Sequence, residues 1–155
     1  MNKHISRRIL VAGIMLATLI PRLALAESAQ PAGLESITVY KSPTCGCCSK
    51  WVRHLQDNGF VVEAIDRNDM NTVKLESGIP RQLASCHTAI IGGYLIEGHV
   101  PAADIRRLLE ERPAVAGLTA PGMPMGSPGM EGHKKDKYDV LTFTRSGDTT
   151  VFSRY

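Results

Sequence analysis

The chain has 155 residues, 43 % of them hydrophobic, with 18 Lys+Arg against 15 Asp+Glu. That size and composition fit one globular domain and exclude a large multidomain enzyme. Lys3, Arg7, Arg8 and Arg22 fall in the first 26 residues with no acidic partner, so removing all four takes a chain of charge +3 to −1, and the apparent basicity gives no case for nucleic-acid binding.

Residues 1–26 read as an export signal, with a basic start, an apolar run from Ile9 to Ile20 and a small-residue end at Ala24-Leu25-Ala26. The run is shorter than the ~20 residues of a spanning helix, and no later segment supplies one. Cleavage after Ala26, with no membrane span afterwards, is therefore expected, an uncleaved anchor being the competing reading. Ser6-Arg7-Arg8-Ile9-Leu10 is similar to a twin-arginine signal, so the Sec and twin-arginine routes both stay open. Either delivers the chain to an oxidising space, where thiols persist if paired, metal-bound or actively reduced.

Residues 27–36 read as a polar, flexible lead, and one domain is expected over 37–155. Ile37 to Tyr40 is β-favouring and ends at the Lys41-Ser42-Pro43-Thr44 turn. Ser49 to Asp57 carries Trp51, Val52 and Leu55 at helical spacing and stops at Asn58-Gly59. A strand follows over 60–65, then a short helix over 69–77 stopped by Gly78 and Pro80. Residues 88–91 and 94–98 are predicted strands about a Gly-Gly turn, and 103–111 a helix opened by Pro101 and ended by Pro113.

Between 114 and 133 the glycines and prolines argue for a Gly/Pro/Met-rich loop without regular structure. Residues 138–154 are predicted to form a terminal hairpin that extends the sheet edge. The class is α/β, and the order β-α-β-α-β-β-α is that of a thioredoxin-like fold, a mixed central sheet flanked by helices.

Three of the four cysteines stand in Cys45-Gly46-Cys47-Cys48, between the first strand and first helix. Helix N-terminal N–H groups and the macrodipole favour thiolate there. Cys45 and Cys48 have redox C-x-x-C spacing. Cys47 does not suit that reading, since a third thiol intercepts a disulfide, whereas a soft-metal site gains from each added thiolate. The fold places Ser85-Cys86-His87-Thr88 against the motif, which brings all four cysteines together and puts His87 where such folds carry a cis-proline. Two structural disulfides and a four-thiolate zinc site are competing readings. The latter has only one C-x-x-C knuckle.

Met123, Met125 and Met130, in a loop with no obvious core to fill, are thioether donors suited to Cu(I), packing of the loop against the domain being the competing reading. His87 and His99 are further candidate ligands. His54 reads as a surface or packing residue and Trp51 as core.

At these residues the sequence resembles the thioredoxin-like CopG family of periplasmic copper-resistance proteins. The resemblance rests on Val39-Tyr40-Lys41-Ser42-Pro43, Cys45-Gly46-Cys47-Cys48-Ser49-Lys50-Trp51, Ser85-Cys86-His87-Thr88, Glu97-Gly98-His99-Val100-Pro101 and the Met-rich loop from Gly122 to Met130. It implies a periplasmic protein with copper bound by Cys45, Cys47, Cys48 and Cys86, acting in copper tolerance by sequestration or Cu(I)/Cu(II) interconversion. Several Cu(I) ions per chain, bridged by shared thiolates, and copper-handling or electron-donor proteins as partners follow from that reading. Whether the protein is an enzyme stays open. The rival is a thiol-disulfide oxidoreductase in which Cys45 attacks and Cys48 resolves.

Overall fold

A computed structural model describes residues 36–155. The export signal and almost all of the polar lead lie outside the described residues. Strand β1 (Ser36–Lys41) leads through a turn, closed by Cys45 N–H donating to the Ser42 carbonyl at 3.1 Å, into helix α1 (Gly46–Asp57). Strand β2 (Val61–Asp66), helix α2 (Met70–Ser77) and a single 3-10 turn (Arg81–Leu83) follow. Then come β3 (Thr88–Ile91), β4 (Tyr94–Gly98), α3 (Ala102–Glu111), β5 (Gly117–Ala120), β6 (Asp139–Phe143) and β7 (Thr149–Arg154). The strands form one mixed sheet in the order β2-β1-β3-β4-β5-β6-β7. Two pairs, β1/β2 and β4/β5, are parallel and the other four antiparallel. No helix among the described residues is long and apolar enough to cross a membrane.

Two apolar clusters cover the sheet. Ile37 and Val39 of β1, Ala89 and Ile91 of β3 and Ile96 of β4 pack with Trp51 and Leu55 of α1 and Ile105 and Leu108 of α3. Leu95, the neighbour of Ile96 on β4, belongs instead to a cluster with Ile79, Leu83 and Phe143. Successive strand residues point to opposite faces, so the clusters lie on opposite sides of the sheet. Helices α1 and α3 share the larger one, where each fully buried Leu or Ile contributes ~1.5–3 kcal/mol.

Two expectations need correction. Helix α1 begins three residues before Ser49, because the Cys45 sulfur accepts the Cys48 N–H at 3.3 Å and caps the first turn. The 114–133 stretch is not wholly irregular, since β5 runs within it and all four of its residues are buried. Glycine at 117 is what permits this strand. A Cβ there would stand 1.8 Å from the Leu95 carbonyl oxygen, so any other residue would push β5 off β4.

The predicted terminal hairpin is present and continues the sheet through β5. It is pinned to α3 by buried Asp104, whose carboxylate accepts from Ser153 and, at 2.9 Å, from the Tyr155 hydroxyl. Arg107 lies 3.7 Å over the Phe152 ring.

Candidate metal centre

The C-terminal end of β1 and the first turn of α1 present Cys45, Cys47 and Cys48, and the segment entering β3 presents Cys86. Their four sulfurs lie within 4.8 Å of one another. Cys47 Sγ is 3.5 Å from Cys45 Sγ and 4.0 Å from Cys86 Sγ. Two segments separated by 37 intervening residues thus converge on one point.

The oxidation state differs from the expected four free thiolates. Cys45 and Cys48 are joined in a disulfide, and Cys47 and Cys86 are free. A spacing of three on the first helical turn brings the two Cα atoms to 5.3 Å, inside the range a disulfide spans. The second bridge of the two-disulfide reading is not formed.

A buried polar network holds the Cys86 segment. Glu97 of β4 is fully buried and accepts from Lys74 Nζ of α2 at 2.6 Å, Thr88 Oγ1 at 2.7 Å and the Ser85 N–H at 2.5 Å. Lys74 also donates to Thr88 Oγ1 at 3.0 Å. The network ties α2, β3 and β4 to the residue preceding Cys86. Burial, and next the neighbouring Cys47, push the Cys86 thiol up to about 11, while Lys74 pulls the other way. Cys86 stands on the segment opposing the helix N-terminus.

Three rings, Trp51, His87 and His99, pack together close in sequence to the cysteine-bearing segments and the end of β4. His87 is fully buried, 4.3 Å from the Trp51 ring and 4.9 Å from His99, and neither of its nitrogens has a hydrogen-bond partner. Burial, then His99 and Lys74, hold it well below the ordinary imidazole pKa. His99, in the bend immediately after β4, is buried as well. Its Nδ1 lies 2.8 Å from the Pro128 carbonyl, which can only accept, so Nδ1 carries the proton and Nε2 keeps a free lone pair without a partner. Trp51 is core, as expected, with its Nε1–H donating to the Val100 carbonyl at 2.8 Å.

The Met-rich loop folds back onto the cysteine motif. Gly129, at φ +86°, lies so close to α1 that a Cβ would meet the Cys47 carbonyl oxygen at 2.7 Å and the Trp51 nitrogen at 2.9 Å. Met130 and Met125 are half-buried, and Met123 is exposed on the outer side of the loop at φ +65°.

One role escaped the sequence. His54 takes the packing side of its expected surface-or-packing reading: it is half-buried, and its Nε2 accepts the Ala102 N–H at 3.1 Å, capping α3 from a neighbouring helix. The Pro101-Ala102 helix start, with no side-chain cap of its own, is the signal that a distant acceptor was needed.

Four convergent cysteine sulfurs, with His87 unpartnered at both nitrogens and His99 at Nε2, make up a donor set of the soft-metal class. Two solved structures, both titled copper resistance protein CopG, are 48 % identical to the chain. The first, form 2, has a TM-score of 0.74 and covers 78 % of this chain and 98 % of its own. Form 1 has a TM-score of 0.73, with coverage of 77 % and 96 %. A family described as a protein of unknown function, DUF411, matches residues 83–130. No curated protein matches the chain. The chain belongs to the CopG copper-resistance family.

Proposed function

We propose that the protein, exported to the periplasm and cleaved after Ala26, binds copper as Cu(I) through Cys45, Cys47, Cys48 and Cys86 and thereby contributes to copper resistance. The observation that carries this reading is the approach of four sulfurs from two distant segments to within 4.8 Å. Thiolate is a soft ligand matched to Cu(I), and bridging sulfurs let several d¹⁰ ions share the negative charge. The dithiol form supplies all four ligands, so reduction of the Cys45–Cys48 bridge precedes full loading. His87, His99, Met125 and Met130 are candidates to complete the site, and Met123 is the least suited because of its exposure. Membership of the CopG family supports copper as the metal.

The scaffold reading is a thioredoxin-like fold, supported by the β2-β1-β3-β4 order with antiparallel β3 and by the helix that follows β4. A titration of fully reduced protein with Cu(I) under nitrogen, against a competing chelator, tests the function. More than one retained copper per chain with thiolate-to-copper absorption is expected. No retained copper overturns the proposal.

The Cys45–Cys48 bridge favours one second reading, a thiol-disulfide oxidoreductase. Strong insulin reduction by metal-free protein would establish it.

A further inference from the structure

Between α2 and the 3-10 turn lies a cavity of about 500 Å³, lined by Asn71, Lys74, Leu75, Arg81 and Ala84. That volume falls in the ~300–1,000 Å³ range of small-molecule sites. Asn71, Lys74 and Leu75 share one face of α2, because residues three and four apart on a helix are neighbours. Arg81 and Ala84 stand three apart at the 3-10 turn, a spacing at which side chains eclipse. Two cations therefore face the cavity, and among the described residues no acidic side chain lines it.

The two cations differ in what already holds them. Lys74 is balanced by buried Glu97 at 2.6 Å. Glu97 and Thr88 take two of its three N–H donors, which leaves one for a ligand. Arg81 is exposed, and no carboxylate among the described residues stands within ion-pair distance of it. The cavity thus carries one uncompensated positive charge, borne on a planar fork of donors that grips a carboxylate through two parallel hydrogen bonds. A phosphate monoester would bring about two negative charges to that single unmatched cation, so a monocarboxylate is the closer fit. Leu75, 79 % exposed, and Ala84 supply an apolar lip to the same cavity. One exposed leucine is ordinary on a surface. Beside an unpaired guanidinium it offers cover for the carbon body of a charged ligand.

We infer that this cavity binds a small organic monocarboxylate with a short aliphatic body. Arg81 takes the carboxylate, Lys74 and Asn71 donate to it from the α2 side, and Leu75 and Ala84 cover the body. Ala84 stands two residues before Cys86, so the bound acid lies on the segment leading to β3 and outside the four-sulfur cluster. The inference is independent of the copper-binding reading, which uses none of these five side chains.

The test titrates the metal-free full chain with isovalerate at constant ionic strength and follows the backbone amide signals by nuclear magnetic resonance. Saturable shifts centred on residues 71–75 and 81–84 are expected, with half-saturation at about 1 mM or below. Isovaleramide, which lacks the charge, and acetate, which lacks the body, are expected to bind at least about tenfold more weakly. Inorganic phosphate is expected to leave the same signals unsaturated.

Arg81→Gln and Leu75→Ser replace exposed side chains, so both variants are expected to keep the wild-type spectrum away from the cavity. Arg81→Gln is expected to weaken isovalerate at least about tenfold, and Leu75→Ser to weaken it while leaving acetate unchanged. Shifts that never saturate or that scatter over the surface overturn the inference, as does wild-type affinity in Arg81→Gln. Isovaleramide binding as tightly as isovalerate, or phosphate saturating the same signals, overturns the assignment of a monocarboxylate.

Discussion

Replacing Gly129 by alanine tests whether the Met-rich loop is seated on the cysteine motif. At φ +86° an L-residue costs ~1–2 kcal/mol over glycine. The new Cβ would also fall 2.7 Å from the Cys47 oxygen and 2.9 Å from the Trp51 nitrogen. Both are backbone atoms of α1 that cannot step aside, so the loop must lift. Lifting breaks the His99 Nδ1–H bond to the Pro128 carbonyl and leaves a buried donor unpaired, a further ~1–3 kcal/mol. The combined loss is about 2–5 kcal/mol, which lowers the melting temperature of a domain this size by about 10 °C. Gly122→Ala is the control, because φ there is +81° and nothing lies within 4 Å of the added Cβ. It bears the backbone cost alone, about 1–2 kcal/mol. Melting curves of the two variants followed by circular dichroism supply the comparison. Equal losses would show that the contact with α1 contributes nothing and that the loop is not seated there.

Lys74→Met leaves the Glu97 carboxylate buried without its cation and is expected to cost ~3–5 kcal/mol in urea unfolding. Lys74→Met combined with Glu97→Leu should recover much of that loss, and a single-variant cost under ~1 kcal/mol would refute the burial argument. Burial holds His54, His87 and His99 below the ordinary imidazole pKa of 6.5 in the folded chain, so the unfolded chain takes up protons first on acidification. Their contribution is complete above about pH 6.5 and is lost as pH falls through the lowered folded values. Fully buried His87 alone supplies a slope of up to ~1.4 kcal/mol per pH unit, and a melting temperature unchanged between about pH 7.5 and 5 would refute this. With its thiol at about 11, Cys86 of the metal-free protein should react with iodoacetamide at pH 8 at least tenfold more slowly than an ordinary thiol near 8.5. A rate equal to that of free cysteine, read by peptide mass analysis, would be the contrary result.

The order of elements was legible because apolar spacing and turn residues agree over most of the chain. Trp51 and Leu55 of α1 fall in the core as their spacing requires, and residues 138–154 extend the sheet as their alternation implied. Strand β5 was hidden because Gly117, normally a breaker, is here the only residue that fits beside Leu95. The meeting of Cys86 with the cysteine motif was accessible through strand order. The environments of the histidines were not. His99 owes its tautomer to Pro128 of the folded-back loop, and His54 owes its role to the bare N-terminus of α3, both contacts between residues far apart in sequence. The disulfide between Cys45 and Cys48 was one of several pairings the spacing allowed, and helical geometry selects it.

The three strands that follow α3 lie beyond the last cysteine, yet they decide how the molecule meets its neighbours. Every residue of β4 is buried, and without β5 its backbone would be an open, apolar template for other chains. The extension moves that edge out to β7, which presents Thr149, Thr150 and Arg154 to solvent beside an irregular register at Val140 and Leu141. A fragment cut after Glu111 would retain all four cysteines and leave the edge of β4 uncovered, so the C-terminal strands shield that edge from pairing with other chains.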